Sequence, residues 1–316
     1  MRRDQAHQSA TARVDLATTV GSVQLPSVLM TASGTSGHGA ELAAYFDLAA
    51  LGAVVVKSLA ATPWAGNPAP RLHEATAGMV NSVGLQGPGV EAWLEHELPE
   101  LTACGARVVA SIWGQTVGEF AAAAALLADA PPAVVAVEVN VSCPNLEDRR
   151  RMFAHSPTAT AEAIDAAAAC GRPRWAKLSP NVSDIAEIAA AAAGAGAEAV
   201  TLVNTLLAVA IDADTRRLRL GAGRGGLSGP AIKPVALRAV FDCRDALPDL
   251  PIVGVGGVAS APDVVEFLLA GAHAVQVGTA TFADPRAPDR IGHQLVRWCS
   301  DRGIRSVTEL IGGAHG

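Results

Sequence analysis

A cysteine flanked by carboxamides is the most reactive feature of this sequence. The segment Asn140-Val141-Ser142-Cys143-Pro144-Asn145 follows an apolar run, so Cys143 is expected on a loop just beyond the end of a strand. A thiol there could act as a general base or as a nucleophile. No histidine lies near it in the sequence, which weakens the nucleophile hypothesis, and most free cysteines are small packing residues. These residues alone leave all three interpretations open.

Polar residues or glycines also follow seven other apolar runs. Lys57 and Lys177 each end such a run, and a chain that only had to fold would not need a lysine at either point. If the runs are strands of one parallel barrel, their carboxyl ends share one mouth, and the set is expected to form a site there. The residues at the eight ends are Ala32, Ser33, Gly34, Lys57, Ser58, Ser111, Asn140, Lys177, Asn204, Thr205, Gly256, Gly257, Gly278 and Thr279.

The last two runs end in glycines that suit an anion. Residues 253–258 read Val-Gly-Val-Gly-Gly-Val, and residues 277–280 read Val-Gly-Thr-Ala. Glycines let backbone N–H groups approach a phosphate closely, and strands seven and eight are where barrels commonly hold one. The sequence therefore predicts a phosphorylated ligand, of which FMN is the commonest large candidate. No Gly-x-Gly-x-x-Gly follows an early strand, so no dinucleotide site is expected.

The spacing of the runs predicts the fold. Short β-branched or apolar runs alternate with Ala- and Leu-rich helical stretches, which indicates βαβ units and a parallel sheet. Eight such units predict a (β/α)8 TIM barrel of the α/β class, with residues 13–316 as a single domain and residues 1–12 as a flexible extension. The predicted strands are residues 28–30, 53–56, 108–110, 134–139, 175–177, 199–203, 252–255 and 274–277.

Two hairpins are predicted outside the barrel units. Residues 14–16 and 23–25 flank Gly21-Ser22 and would plug the bottom of the barrel. Residues 209–211 and 218–220 flank a turn at 212–215 and would form a small insertion between strands six and seven, near the mouth.

Composition excludes several function classes. With 50% hydrophobic and 17% charged residues and a net charge of −6, the chain is expected to be globular and to bind neither nucleic acid nor membrane. Its five cysteines include no Cys-x-x-Cys pair, so neither a disulfide framework nor a metal or iron–sulfur site is expected in this chain. The polar start and the lack of a 20-residue apolar stretch predict a cytoplasmic protein.

The motifs together resemble those of class 1 dihydroorotate dehydrogenases, in the same order and over nearly the whole chain. The matching segments are Lys57-Ser58, residues 66–71 (GNPAPR), 78–86 (GMVNSVGLQ), 140–145 (NVSCPN), 177–181 (KLSPN), 226–234 (GLSGPAIKP) and Gly278-Thr279. The cysteine in the NVSCPN loop is typical of class 1. Gly-Leu-Gln at 84–86 is similar to subclass 1B.

This resemblance implies an FMN-dependent barrel that oxidises dihydroorotate to orotate in pyrimidine biosynthesis. It implies that Cys143 is the general base and that Lys177 stabilises the negative charge of the reduced flavin. The implied substrate residues are Lys57, Asn81, Ser82, Val83, Gly84, Leu85, Asn140, Asn145, Asn204 and Thr205. The implied FMN residues are Ala32, Ser33, Lys57, Ser58, Ser111, Asn140, Lys177, Val203, Gly229, Gly256, Gly257, Gly278 and Thr279.

The resemblance further implies a homodimer that joins a partner subunit, which carries FAD and a 2Fe–2S cluster and passes electrons to NAD⁺. Four alternatives stay open: a fumarate-dependent class 1A homodimer, a dihydropyrimidine-type flavin reductase, a flavin-free phosphate-binding lyase or synthase, and a barrel that only binds.

The sequence departs from the family pattern at two points. Ser111-Ile112-Trp113 stands where the family usually offers FMN an asparagine. Residues 146–153 (LEDRRRMF) replace a Gly-rich stretch, and this loop is interpreted as a lid or as a solvated face.

Overall fold

The eight predicted runs form a closed barrel of parallel strands in a computed structural model, which describes residues 14–143, 146, 148 and 151–316. Around the barrel the strands follow the order β3 (Leu29–Thr31), β16 (Ala274–Val277), β15 (Ile252–Val255), β10 (Ala199–Leu202), β9 (Arg174–Lys177), β8 (Val134–Asn140), β7 (Val108–Ile112) and β4 (Val54–Val55). A parallel bridge between Met30 and Ala53, next to β4, closes the ring between β4 and β3. The predicted TIM barrel is confirmed. The predicted extension at residues 1–12 lies outside the described residues.

The α-helices are α1 (Val90–Ala92), α2 (Leu98–Ala103), α3 (Val117–Ala125), α4 (Pro157–Ala166), α5 (Ile185–Gly194), α6 (Lys233–Ala246), α7 (Ala261–Leu269), α8 (Ala280–Ala283) and α9 (Ala287–Ser300). A π-helical turn, Trp93–Glu97, joins α1 to α2.

Side chains fill the barrel interior in layers, because every second residue of a strand points inward. The lowest layer is apolar and includes Trp175 and Met30. Two residues further along the strands, the next layer is polar. Its buried members include Ser111, Glu138, Lys177, Thr201 and Gln276. The barrel is therefore apolar at its base and polar beneath its mouth.

An N-terminal hairpin plugs the base, as predicted, but its first strand is displaced. Strand β1 (Thr18–Val20) pairs with β2 (Val23–Leu25), whereas residues 14–16 were expected to form the first strand. A two-residue turn at Gly21-Ser22 fixes the register, because the residues flanking such a turn must pair directly. Val20, Val23 and Leu25 pack into the lowest apolar layer.

A second sheet, which was not predicted, stands over the mouth. It is antiparallel, and its four strands have the order β11 (Leu206–Ala208), β14 (Gly225–Ser228), β6 (Gly78–Asn81) and β5 (Leu72–Ala75). The predicted insertion lies beside it as β12 (Ile211–Asp212) and β13 (Arg217–Leu218), with shorter strands than expected. Asp212 Oδ1 accepts hydrogen bonds from the N–H groups of Asp214 and Thr215, which closes that turn.

Helix α7 approaches β15 closely at Gly254. A Cβ built on Gly254 would lie 2.5 Å from Cδ1 of the buried Phe267 ring and 3.2 Å from Ala272 Cβ. We expect Gly254→Ala to lower the free energy of unfolding by about 1–3 kcal/mol, since overpacking forces helix and strand apart. Urea denaturation measures this change.

Gly194→Ala is the matched control, because Gly194 ends α5 with no neighbouring heavy atom within 4 Å of its built Cβ. This variant is expected to be equal or more stable, by up to about 1 kcal/mol. Equal free energies of unfolding for Gly254→Ala and the wild type would contradict the packing argument.

Candidate active site

A cavity of about 250 Å³ opens at the carboxyl ends of the barrel strands and continues beneath the antiparallel sheet. It brings together twenty of the residues named from the sequence, which come from all parts of the chain. They are Ala32, Ser33, Gly34, Lys57, Ser58, Asn81, Ser82, Val83, Gly84, Leu85, Asn140, Lys177, Val203, Asn204, Thr205, Gly229, Gly256, Gly257, Gly278 and Thr279.

One end of the cavity is built from backbone. Gly257, after β15, has a φ of +80°, and a Cβ there would lie 2.9 Å from the carbonyl oxygen of Gly229 and 2.8 Å from Lys233 Cβ. Only glycine fits this close approach. Thr279, after β16, donates a hydrogen bond from Oγ1 to Ser228 Oγ at 2.8 Å. Such a glycine-rich turn between two strand ends suits a phosphate.

Carboxylates brace the glycine turn from behind. Asp263 accepts hydrogen bonds from the N–H groups of Ala259 and Ser260 and from Ser260 Oγ, and these bonds form a capping box at the start of α7. Lys233 Nζ on α6 lies 2.6 Å from Asp263 Oδ1 and 2.8 Å from Glu266 Oε2. The starts of α6 and α7 are thus tied together on either side of the turn.

Amides and hydroxyls line the other end. Asn204 Nδ2 donates to Asn140 Oδ1 at 3.2 Å, and Asn140 Nδ2 donates to Ser58 Oγ at 3.1 Å. Asn81, on β6, donates from Nδ2 to the carbonyl oxygen of Gly226 at 3.3 Å. The hydroxyls of Ser82 and Ser142 are buried and have no hydrogen-bond partner among the described residues. Buried polar atoms need partners, so this end suits a small polar ligand.

A neighbouring loop holds residues 82–87 in place over the cavity. Trp64 exchanges two backbone hydrogen bonds with Gly87 and donates from Nε1 to the carbonyl oxygen of Gly84. Asn67 Nδ2 donates to the carbonyl oxygen of Ser82 at 3.2 Å. Trp113 packs edge-on against Trp64, with ring centroids 5.6 Å apart. Trp113 belongs to the segment that departs from the family pattern, and its side chain thus supports the loop that carries the substrate candidates.

The cavity is positively charged. Lys57 and Lys177 line it, and none of its described lining residues is acidic. Burial, together with the nearby charge of Lys177, lowers the pKa of Lys57 from 10.5 to about 8. Near neutral pH both ends of the cavity therefore favour anionic groups.

Cys143 follows β8, as expected, but its thiol does not face the cavity. Its side chain is fully buried and is not among the residues that line the cavity. Instead the thiol donates hydrogen bonds to the carbonyl oxygens of Gly114, at 2.9 Å, and Asn140, at 3.3 Å. Burial raises the pKa of the Cys143 thiol from 9.0 to about 12. The adjacent Ser142 faces the cavity in its place.

Ser111 also lies outside the lining. Ser111 is fully buried beneath Ser58, and the hydroxyl oxygens of the two residues are 2.9 Å apart. It lies there because the inward-pointing residues of β7 reach only the polar layer. Ser58 and not Ser111 therefore lines the cavity, and a contact between Ser111 and FMN stays a prediction. Asn145, the remaining substrate candidate, lies outside the described residues, as does much of the loop that was interpreted as a lid.

Sequence reasoning missed several residues around the cavity. Glu138 is the most unusual, since it is a fully buried carboxylate on β8 directly below the mouth. A single acidic residue within the apolar run Val-Val-Ala-Val-Glu-Val-Asn was the available signal. The lining residues that were not named as site residues are Thr35, Leu72, Met79, Ser142, Ser228, Ile232, Val255 and Phe282.

No helix of the described residues is both long and apolar enough to span a bilayer. Over the same residues, no group of three or more His, Cys, Asp or Glu side chains is placed to hold a metal ion.

A family model described as Dihydroorotate dehydrogenase matches residues 15–298. The chain belongs to this family. A Desulforudis audaxviator protein named dihydroorotate dehydrogenase B (NAD(+)), catalytic subunit, is 48% identical to it over 96% of this chain and 98% of its own length. A Trichlorobacter lovleyi protein of the same name is 45% identical, over 94% of this chain and 97% of its own. A Solibacter usitatus member with the provisional name dihydroorotate dehydrogenase A (fumarate) is 47% identical, over the same two shares.

Proposed function

We propose that this protein is an FMN-dependent dihydroorotate dehydrogenase, which oxidises dihydroorotate to orotate in pyrimidine biosynthesis. The observation that carries the proposal is the joined cavity: a glycine-rich, phosphate-suited end meets an end of amides and a lysine. Membership of the family over nearly the whole chain supports it. Binding of FMN is what separates this proposal from a flavin-free lyase or synthase.

The residues at the glycine end fit the phosphate of FMN. Gly257 and Gly229 leave space that any Cβ would fill, and Thr279 adds a hydroxyl. Ser33, Ser58 and Lys177, at the cavity floor, are proposed to contact the ring. When bound, FMN supplies the two-electron acceptor. Lys177 would place a cation where the ring gains negative charge, which is a preorganised electrostatic role.

The amide end fits orotate. The edge of that ring alternates hydrogen-bond donors and acceptors, which carboxamides can match. Asn81, Asn140 and Asn204 supply three such groups, Thr205 lines the cavity beside them, and Asn145 is proposed from sequence alone. The unpartnered hydroxyls of Ser82 and Ser142 add two more polar groups. Lys57 would pair with the carboxylate of the substrate.

Cys143 is proposed to remove the C5 proton as general base. Its thiol is one residue from Ser142, which lines the cavity, so a local rearrangement of residues 141–143 would bring it to the substrate. Leaving the buried position would also remove the cause of its raised pKa, since burial disfavours the thiolate. The base would thus become effective only in the position where it is used.

NAD⁺, reached through a partner subunit that carries FAD and a 2Fe–2S cluster, is proposed as the electron acceptor. The names of the Desulforudis and Trichlorobacter relatives support this proposal. Fumarate is the second candidate, favoured by the name of the Solibacter relative.

A homodimer is proposed as well. Exposed apolar side chains support it, since such patches commonly mark contact surfaces. They are Leu207, Val209, Ile211 and Leu218. A cytoplasmic location stays a prediction.

The purified chain is expected to carry FMN, and dihydroorotate should bleach the flavin absorbance under anaerobic conditions. Reoxidation by NAD⁺ should be slow for the isolated chain and fast after addition of an FAD and 2Fe–2S subunit. Stopped-flow absorbance measures both steps. Fast reoxidation by fumarate alone would favour the second acceptor. A colourless protein that binds no FMN would overturn the proposed function, and bleaching by dihydropyrimidines but not by dihydroorotate would change the substrate.

Cys143→Ala is expected to slow flavin reduction by dihydroorotate by about 10²–10⁴-fold, the usual effect of removing a general base, while FMN stays bound. Cys170→Ala, another buried cysteine, is the matched control and should leave the rate unchanged. If Ser142→Ala showed this loss and Cys143→Ala did not, the base would be Ser142.

Orotate affinity is expected to fall as the pH rises through 8. Lys57, with its lowered pKa of about 8, carries its charge below that pH and loses it above. Binding that needs the ammonium should be roughly tenfold weaker at pH 9 than at pH 7, because the protonated fraction falls by that factor. Orotate titration of the flavin spectrum measures the affinity. Lys57→Met should bind weakly with no such pH dependence, and a wild-type affinity independent of pH would contradict this role.

A further inference from the structure

Glu138 is a buried acid that the proposed reaction does not use. Its side chain has no exposed surface, and it points into the polar layer directly beneath the cavity. A buried carboxylate is costly to keep ionised unless hydrogen bonds or an opposite charge compensate for the lost water. Its contacts therefore indicate what it is for.

Three side chains surround the carboxylate. Ser111 donates a hydrogen bond to Oε1 at 3.1 Å, and Gln276 donates from Nε2 to Oε2 at 3.2 Å. Lys177 Nζ lies 3.7 Å from Oε1. Ser111 lies on β7, the neighbour of β8, whereas Gln276 reaches across the barrel from β16, so each oxygen is held by a different strand. The third contact is the only cation that the described residues place beside it.

The hydroxyls above the carboxylate are ordered by it. Ser58 Oγ lies 2.9 Å from Ser111 Oγ and 3.2 Å from Ser33 Oγ. Since an ionised carboxylate can only accept, Ser111 must donate downward, and it then accepts from Ser58. Glu138 thus orients a chain of hydroxyls that reaches the cavity floor.

Lys177 contacts both the cavity and the carboxylate of Glu138 in the polar layer beneath it. It lines the cavity, yet its side chain is only 5% exposed, and Nζ makes no hydrogen bond to a described residue. Its N–H donors are therefore free to point at a ligand, while the charge of Glu138 lies behind them. Lys57 provides the contrast, because no carboxylate among the described residues lies within 4 Å of its Nζ, and burial together with Lys177 lowers its pKa to about 8.

We infer that Glu138 is a positioning residue: its carboxylate is the counter-charge that pairs with the Lys177 ammonium and holds it directed at the flavin. This inference rests on the proposed function. Without the counter-charge, the ammonium would turn away from its place beside the cavity, since isolated buried charges are strongly disfavoured. The cation that stabilises reduced FMN would then be lost.

Glu138→Gln keeps the size of the side chain and removes its charge. In the FMN-loaded protein we expect this change to disfavour flavin reduction about tenfold, which is a fall of about 30 mV in the two-electron midpoint potential. Spectroscopic titration against a redox dye measures the potential. Glu198→Gln is the matched control, since Glu198 accepts hydrogen bonds from Ser22 at the other end of the barrel. Its potential should equal that of the wild type.

The same change in a Lys177→Met background separates positioning from general disturbance. If Glu138 acts through Lys177, Glu138→Gln should no longer lower the potential there. FMN-free protein gives a second readout, because the double variant should be more stable to urea than Glu138→Gln alone, in which the lysine is left unpaired. Should Glu138→Gln alone not fold, Ser111→Ala, which keeps the charge but frees one oxygen, should lower the potential by a smaller factor.

The outcomes are distinct. An unchanged or raised potential in Glu138→Gln, or an equal fall in both backgrounds, overturns the inference and leaves the proposed function intact. If Glu138→Gln does not fold and Ser111→Ala replaces it, an unchanged potential in Ser111→Ala overturns the inference and leaves the proposed function intact. A wild-type protein that binds no FMN overturns both.

Discussion

Closure of the parallel barrel is the constraint on which the site depends. A parallel sheet has all its carboxyl ends at one edge, and when β3 meets β4 through the Met30–Ala53 bridge, that edge becomes a ring. Lys57 and Lys177, 120 positions apart in the sequence numbering, then face one cavity. The same closure puts inward-pointing residues into layers, so the polarity of the floor is decided by every second residue of each strand.

Two kinds of support surround this ring. At the glycine-rich end, the turn after β15 is held by hydrogen bonds from Ala259 and Ser260 to Asp263, and the turn itself needs no side chain. At the amide end, loops carry the side chains, and a second loop with Trp64 holds them. The first arrangement suits a group that stays bound, and the second suits one that must enter and leave.

The sequence was sufficient for whatever follows from chain direction and periodicity. The apolar runs predicted the strands, and the residues that follow them predicted 13 of the 28 described residues that line the cavity. Residues 81–85, Val203 and Gly229 were named from the family resemblance instead. Side-chain direction was not accessible in the same way. Cys143 lies where its position beyond β8 indicated, yet the carbonyl of Gly114, a residue distant in sequence, draws its thiol inward. Ser111 ends a strand, but the alternation along β7 turns it beneath Ser58. The antiparallel sheet was missed because its short, glycine-containing strands show no clear alternation.

The antiparallel sheet over the mouth also bears on how the molecule folds. Its central pair joins β6 to β14, with Asn81 opposite Gly226, so its strands come from widely separated parts of the chain. Contacts of such long sequence separation carry a large loop-closure entropy and form late. The barrel must bring these two segments together before they can pair. The antiparallel sheet is therefore expected to be a separate cooperative unit of lower stability. Its amide protons should exchange with solvent while those of the barrel strands stay protected.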